Sequence, residues 1–360
     1  MKETIYLLTG AAGYLGSSVS RSLIDKNRKV RALVLNDDPA VSRVPPEAEI
    51  FYGDIQDRDS LDKFFSVPEG AEAAVIHCAG MVTVSPELSA KLISVNVTGT
   101  RNIIGACVKH GVKKLVYISS TGAIPELPRG KVISEVDSFD PGPIVGGYGK
   151  TKAMATRLAL DAVKDYGLDV SVVYPSGITG PGDYGSGAFT GYIVDYLHGR
   201  LPAGIPGSFN MVDARDLANG VIACAEKGRK GEGYIMSGSS ITMRELFSLI
   251  SRYTGMKETK LILPAPAARA IAAVSSFIGF FTGKPGPLTG FVIYNLSRNN
   301  VFSSEKAKRE LGFKNRPIEE TIRDMVLWLH RDGRVCLNVE SAKNLAKPPA
   351  APAPDLLPAV

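Results

Sequence analysis

A tyrosine and a lysine stand four residues apart in the run Gly146-Gly147-Tyr148-Gly149-Lys150-Thr151-Lys152. On a helix, residues at that spacing share a face, so the phenol of Tyr148 and the ammonium of Lys152 reach one small volume. A positive charge beside a phenol favours the phenolate, which predicts a proton donor and acceptor working near neutral pH. The spacing alone is weak, because a core tyrosine followed by a solvated lysine gives the same pattern. Hydride chemistry requires a dinucleotide cradle around the pair.

Such a cradle is legible at the start of the chain. The apolar run Thr4–Thr9 predicts a strand buried on both faces. Gly10-Ala11-Ala12-Gly13-Tyr14-Leu15-Gly16 follows, then the helical pattern Val19, Leu23, Ile24. Strand, glycine turn and helix in that order let backbone approach a pyrophosphate at a helix N-terminus, which makes Gly10, Gly13, Tyr14, Leu15 and Gly16 candidate ligands. The spacing is GxxGxxG rather than GxGxxG, and a glycine trio can also be a tight turn that binds nothing.

Val30–Leu35 reads as the second strand, and Asn36 follows at the position that meets an adenosine ribose. Asp37 and Asp38 supply no base for a 2′-phosphate, which favours NAD over NADP; a polar turn accounts for both acids nearly as well, and Arg43 is close enough to fold back. Ile50–Tyr52 is a third strand, after which Asp54 and Ile55 face the adenine, unless Asp54 caps the helix beginning near Arg58. Ala73–Cys78 leads into Cys78, Ala79 and Gly80, where small residues admit the cofactor. Asn96 falls mid-helix, where Asn is unfavourable unless it holds backbone or water. Val112–Ser120 ends in hydroxyls, and Asp169–Tyr174 is a sixth strand. Strands alternating with helices over this length mean a doubly wound parallel sheet, with ligands at its carboxyl edge.

Beyond Tyr174 the texture changes. Pro175–Asp183 is rich in breakers, and Gly/Pro punctuation continues to Gly207, as in a substrate-side insertion. Helices are expected at Leu217–Glu226, Met243–Thr254, Ser303–Leu311 and Ile318–His330, with a late strand at Gly233–Met236. Ala267–Phe281 is apolar but too short to span a bilayer, which predicts a buried helix near a greasy substrate ahead of a membrane-surface contact.

The chain of 360 residues has 44% hydrophobic and 22% charged residues, the texture of a globular protein. Its net charge of +6 includes no dense basic block, so nucleic acid is not an expected partner. Cys78, Cys107, Cys224 and Cys336 show no paired spacing and form no metal cluster with the four histidines. Met1-Lys2-Glu3-Thr4 runs straight into a strand, so the expected setting is cytoplasmic, without a signal peptide.

With these segments placed, the chain resembles an extended short-chain dehydrogenase/reductase of the NAD-dependent epimerase/dehydratase superfamily, most like its dihydroflavonol reductase-like and 3β-hydroxysteroid dehydrogenase-like members. The likeness rests on Thr9–Gly16, Gly53-Asp54, His77–Gly80, Asn96–Asn102, Tyr117–Ser120, Tyr148–Lys152, Pro175–Asp183, Val212–Leu217, Phe302–Ala307 and Glu310–Phe313. It implies a Rossmann domain from residues 1–180 with 211–236 and a substrate-binding region from 181–210 and 237–335; the tail over 336–360, Pro/Ala-rich beyond Lys347, is expected to be disordered because that run cannot continue a helix and buries little. It further implies Ser120, Tyr148 and Lys152 as the catalytic trio, with Tyr174, Pro175, Gly177 and Ile178 completing the cofactor site.

The sequence departs from the relatives in places. Leu35 stands where NADP users carry Arg, Tyr174-Pro175 where many have Arg-Pro, and Ser208 where nucleotide-sugar enzymes place an Arg before the aromatic Phe209. Thr121-Gly122 replaces the acidic pair of sugar dehydratases. The expected activity is therefore NAD(P)-dependent interconversion of a hydroxyl and a ketone on a moderately apolar small molecule, walled by Phe189, Tyr192, Ile193 and Tyr196. A sugar epimerase with tightly held NAD and a non-catalytic dinucleotide sensor are the alternatives, and a homodimer is compatible with either.

Overall fold

Odd and even residues of the first strand, β1 (Thr4–Thr9), go to opposite sides: Ile5 and Leu7 join one core, Tyr6 and Leu8 another. A strand apolar on both faces must be covered on both, and that demand organises the chain. The computed structural model describes residues 2–185, 187–282, 289–338, 341–342 and 345.

From β1 the chain runs through α1 (Tyr14–Asp25), β2 (Lys29–Val34), β3 (Glu49–Tyr52), α2 (Arg58–Phe65) and β4 (Glu72–His77). Next comes one helical rod in three parts: α3 (Ala90–Ile93), a π-helical turn at Ser94–Thr98, and α4 (Gly99–Lys109). β5 (Lys114–Ile118), α5 (Gly147–Tyr166), β6 (Val170–Pro175) and β7 (Gly177–Thr179) follow. The remainder is α6 (Ala188–Leu197), β8 (Ser208–Asp213), α7 (Ala214–Lys227), β9 (Gly233–Met236), β10 (Ser239–Thr242), α8 (Met243–Thr254), α9 (Ala265–Thr282), α10 (Gly290–Ser297), α11 (Glu305–Leu311) and α12 (Ile318–Arg331).

Seven strands make a parallel sheet in the order β3-β2-β1-β4-β5-β6-β9, and β10-β8-β7 form a small second sheet. The order reverses between β1 and β4, and that switch point opens a crevice at the carboxyl edge. On one face lie Leu61 and Phe64 of α2, Ile103 and Cys107 of α4, and Ala155 and Ala159 of α5. On the other lie Val19 and Leu23 of α1, Leu217 and Val221 of α7, and Leu311 of α11. A third core gathers Tyr196, Met243, Phe247, Ile322 and Met325 from α6, α8 and α12.

Two expectations come out differently. The described part of α9 buries only the small stripe of Ala268 and Ala272, while Ile271 and Val274 are about half exposed (47% and 59%). Small side chains let that face pack closely without covering the rest of the helix; the side chains of 276–282 lie outside the described residues. In the tail, Ser341 donates from Oγ to the Thr254 carbonyl (2.6 Å) and Leu345 is buried in the third core. The Pro/Ala-rich stretch from 346 onward lies outside the described residues.

Candidate active site

β1 ends at Thr9, and the chain must turn beneath the end of β4. Gly10 takes φ +66°, and a Cβ there would lie 2.7 Å from the Ala79 nitrogen. A Cβ on Gly16 would lie 2.0 Å from the Gly10 carbonyl oxygen, so these glycines are required by the turn itself. Gly13 caps α1 with no side-chain hydrogen bond, and no acid sits in the first turn. The leading N–H groups at Tyr14, Leu15 and Gly16 therefore meet no side-chain acceptor at a positive dipole end, which suits a phosphate. The side chains go elsewhere: Leu15 enters the core, and the Tyr14 phenol donates to the Gly180 carbonyl (2.8 Å).

At the ribose end, β2 stops one residue earlier than the sequence suggests, leaving Leu35 and Asn36 exposed. Asp37 adopts φ 59°, and Asp38 Oδ1 accepts from the Ala40 nitrogen (2.8 Å), the pattern of a polar turn. Arg43 does not fold onto this turn; its guanidinium lies 5.4 Å from the Tyr184 ring centre. Asp54 Oδ1 accepts from Gln56 N (2.9 Å), and the cap of α2 is Asp57, not Asp54. The Ile55 side chain is buried beneath Gly99, and its carbonyl accepts from Asn102.

The end of β4 is tied down by a hydrogen-bond chain absent from the sequence reading. Ala79 N donates to Thr9 Oγ1 (3.2 Å), which meets His77 Nδ1 (2.7 Å). His77 Nε2 meets Thr100 Oγ1 (3.0 Å), which donates to the Asn96 carbonyl (2.7 Å) in the π-helical turn. Continuity of donors along this chain assigns a neutral ring protonated at Nε2. Burial agrees, pushing His77 down to about 3, with the Lys152 charge adding to the effect. Cys78 is pushed up to about 12 by burial, against the pull of Lys152. Asn96 repays its unfavourable position: its amide donates to the Met81 carbonyl (2.9 Å) and Thr151 Oγ1 (3.0 Å), and its oxygen accepts from Met81 N (2.7 Å).

Three side chains from two elements then meet. Ser119 is committed to Thr156 Oγ1 (2.6 Å) and Thr121 is buried, which leaves Ser120 as the hydroxyl near the Tyr148 phenol, whose pKa it lowers. Ser120 Oγ also accepts from Gly122 N (3.0 Å), which holds its rotamer. Lys152, one helical turn beyond Tyr148, donates to the Ile118 carbonyl (2.8 Å). A Cβ on Gly80 would lie 3.3 Å from Lys152 Nζ and 3.4 Å from Asn96 Oδ1, so Gly80, Asn96 and Lys152 wall one space.

The sequence expects Lys152 to lower the phenol. Instead burial raises Tyr148 to about 12, with the Ser120 hydrogen bond pulling the other way. Burial likewise lowers Lys152 to about 8. Desolvation outweighs the charge because the ammonium is turned to Ile118 rather than to the phenol.

At the carboxyl end of β6 the Tyr174 ring is buried and stacks on Phe139 (5.5 Å), so it is packed into the core and not free to contact a cofactor. Ser176, which the sequence reading passed over, is buried there with an Oγ that has no hydrogen-bond partner. An orphaned buried hydroxyl, an uncapped helix start and a floor that a Cβ would fill at Gly80 together fit a dinucleotide.

Comparison with known proteins places the fold in a family. The profile of the NAD-dependent epimerase/dehydratase family matches residues 6–236. Sterol demethylase protein B of Methylococcus capsulatus is 30% identical over 334 residues, covering 91% of this chain and 99% of its own. A 3β-hydroxysteroid dehydrogenase/Δ5→4-isomerase of Mycobacterium tuberculosis is 28% identical, with 86% and 85% covered. The crystal structure of gox2253 superposes with a TM-score of 0.80 at 29% identity, covering 92% of this chain and 99% of that one. The chain belongs to the NAD-dependent epimerase/dehydratase family, as a dehydrogenase/reductase of the extended short-chain type.

Proposed function

We propose that the protein interconverts a hydroxyl and a ketone on a moderately apolar, steroid-, flavonoid- or terpenoid-like substrate. The observation that carries the reading is the convergence of three groups: the Ser120 hydroxyl lies close enough to the Tyr148 phenol to lower its pKa, and Lys152 stands one turn further along α5. A bound nicotinamide supplies or accepts the hydride. Gly10, Gly13 and the start of α1 would hold its pyrophosphate, and Gly80, Asn96, Lys152 and the Pro175–Ile178 backbone would line its nicotinamide end. Ser120 Oγ orients the carbonyl, and Tyr148 Oη hands over the proton. Held protonated up to about 12, Tyr148 is a proton donor at neutral pH. The ammonium of Lys152 adds positive potential at the floor of the site, where negative charge develops on the substrate oxygen.

Apolar rings from α6 and β8 support the substrate class: Phe189 and Phe209 pack edge to face at 5.1 Å, with Tyr192 6.2 Å from Phe209. The steroid names of two relatives point the same way. Ser208 before Phe209 leaves a sugar epimerase without the usual pyrophosphate clamp, and a sensor has no use for Ser120, Tyr148 and Lys152 together. NAD is favoured over NADP by the absence of a basic side chain over Leu35–Asp38. The four free thiols suit a reducing cytoplasm; among the described residues no helix is long and apolar enough to cross a membrane. A homodimer is compatible with the groove beside α4 and α5, lined by Arg101, Lys109, Asp161 and Asp165, since a surface carrying both signs of charge can pair with itself about a two-fold axis.

Fluorescence titration with NADH and NADPH, followed by a sterol, flavonoid and sugar-ketone panel, tests the cofactor and the substrate class. Tyr148→Phe is expected to reduce turnover by at least about 10²-fold while cofactor affinity stays within about twofold. Equal loss of both would overturn a chemical role for the phenol.

A further inference from the structure

Lys152 is buried to 5% exposure and carries three N–H donors, yet the protein acceptor bonded to it is a single carbonyl, that of Ile118 (2.8 Å). Among the described residues it makes no ion pair. The titratable groups around it are Cys78 and His77 from β4 and the loop after it, Tyr148 on its own helix, and Tyr117 from β5. The thiol, the imidazole and the phenol of Tyr148 are all neutral at pH 7, so none offers a counter-charge. What the ammonium does have is a π-face. Its Nζ lies 5.1 Å from the centre of the Tyr117 ring, within cation–π range, and that ring is itself only 1% exposed. Tyr117 also packs against His77, with ring centres 5.7 Å apart, and His77 is locked by Thr9 and Thr100.

We propose that Tyr117 is a positioning residue, its ring face acting as the counter-charge that keeps the Lys152 ammonium in place at the floor of the site. The ring quadrupole replaces a carboxylate. A carboxylate at this distance would bind the ammonium outright and would repel a developing alkoxide, whereas a neutral ring stabilises the cation and adds no competing negative charge. The consequence for turnover rests on the hydroxyl/ketone reading; the electrostatic claim does not.

The test therefore uses no substrate. Full-length protein labelled with [ε-¹³C]lysine is titrated by NMR, and the Lys152 signal is identified by its loss in Lys152→Met. Tyr117→Phe keeps the ring face and is expected to leave the Lys152 midpoint in place. Tyr117→pentafluorophenylalanine keeps the ring volume but reverses the charge on its face, and is expected to lower the midpoint by about half to one pH unit. Tyr117→Leu, which removes the ring, moves it in the same direction, so either variant suffices should the other fail to fold. An unmoved midpoint in the fluorinated or leucine variant, or an equal shift in Tyr117→Phe, overturns the proposal. With a substrate in hand, the alkaline limb of kcat/KM is expected to move to lower pH by the same interval. A shifted NMR midpoint in a protein that turns over no panel substrate would sink the hydroxyl/ketone reading and leave this one standing.

Discussion

At Lys152 two demands oppose each other: the site needs a cation, and burial penalises one. Its midpoint is lowered to about 8, chiefly by that burial. An unfolded lysine, near 10.4, binds more protons over the window between, so stability rises with pH from about 8 to about 10 as the buried charge is lost. Below pH 8 the full cost is present. Lys152→Met is accordingly expected to raise stability at pH 7 by roughly 1–3 kcal/mol while abolishing turnover, with the gap to wild type closing as pH rises through that window. Denaturant melts at pH 7 and pH 9.5 measure it; a variant less stable than wild type at pH 7 would refute it. Gly80 belongs to the same scale. It is exposed and its φ is ordinary, so Gly80→Ala is expected to leave stability within about 1 kcal/mol. The new methyl presses on Lys152 Nζ and Asn96 Oδ1, and kcat/KM is expected to fall about tenfold, as small misplacements in a positioned site do. An unchanged rate would mean that neither group needs its present position.

Elements set where these residues stand. The proposed cradle depends on a close fit of β1, its glycine turn and α1, in which a methyl at Gly16 would strike the Gly10 carbonyl. Gly16→Ala is thus expected to destabilise by roughly 1–3 kcal/mol and to weaken NADH binding at least tenfold, because the turn must open before the helix start can reach a phosphate. Thermal melts with and without NADH separate the two effects, and wild-type affinity in a folded variant would show that the close fit is not needed. The π-helical turn at Ser94–Thr98 is the second such element. It widens the rod where Asn96 reaches Met81 and Thr151, and π-turns inside helices commonly mark functional positions.

Across the whole molecule, the joint between the main sheet and the C-terminal region is an ion-pair network centred on Asp213. Burial pushes this carboxyl up, but the hydrogen bonds and charge of Arg215, with Arg316 behind, outweigh it and hold it below the usual range. Arg215 continues to Asp324 of α12 (2.8 Å), and Arg316 to Asp216 of α7 (2.7 Å), so one carboxylate ties β8, α7 and α12 together. A lowered carboxylate contributes stability above its unfolded value near 4 and loses it as pH falls through the folded value. Asp213→Asn is expected to cost roughly 2–4 kcal/mol at pH 7, with the difference from wild type narrowing towards pH 3. A constant difference across that range, read by denaturant melts, would place the effect in packing rather than charge.

Much of this was legible in the chain itself. Apolar runs such as Thr4–Thr9 and Asp169–Tyr174 announce doubly covered strands, the glycine turn announces the cradle, and the spacing of Tyr148 and Lys152 puts both on one helical face. These are local signals, written within a few residues of what they specify. The second sheet was not legible, because Gly177 pairs with Met211 and Met211 with Ser239, and short strands in a Gly/Pro-rich stretch are defined only by distant partners. Nor could the chain reveal that Ser119 would turn to Thr156, that His77 would bridge Thr9 to Thr100, or that Tyr117 would lie under the lysine. Sequence determined which groups are present and which face each takes. Only tertiary structure decided their charge, because desolvation depends on what closes over a group, and that covering comes from elements far apart in the chain.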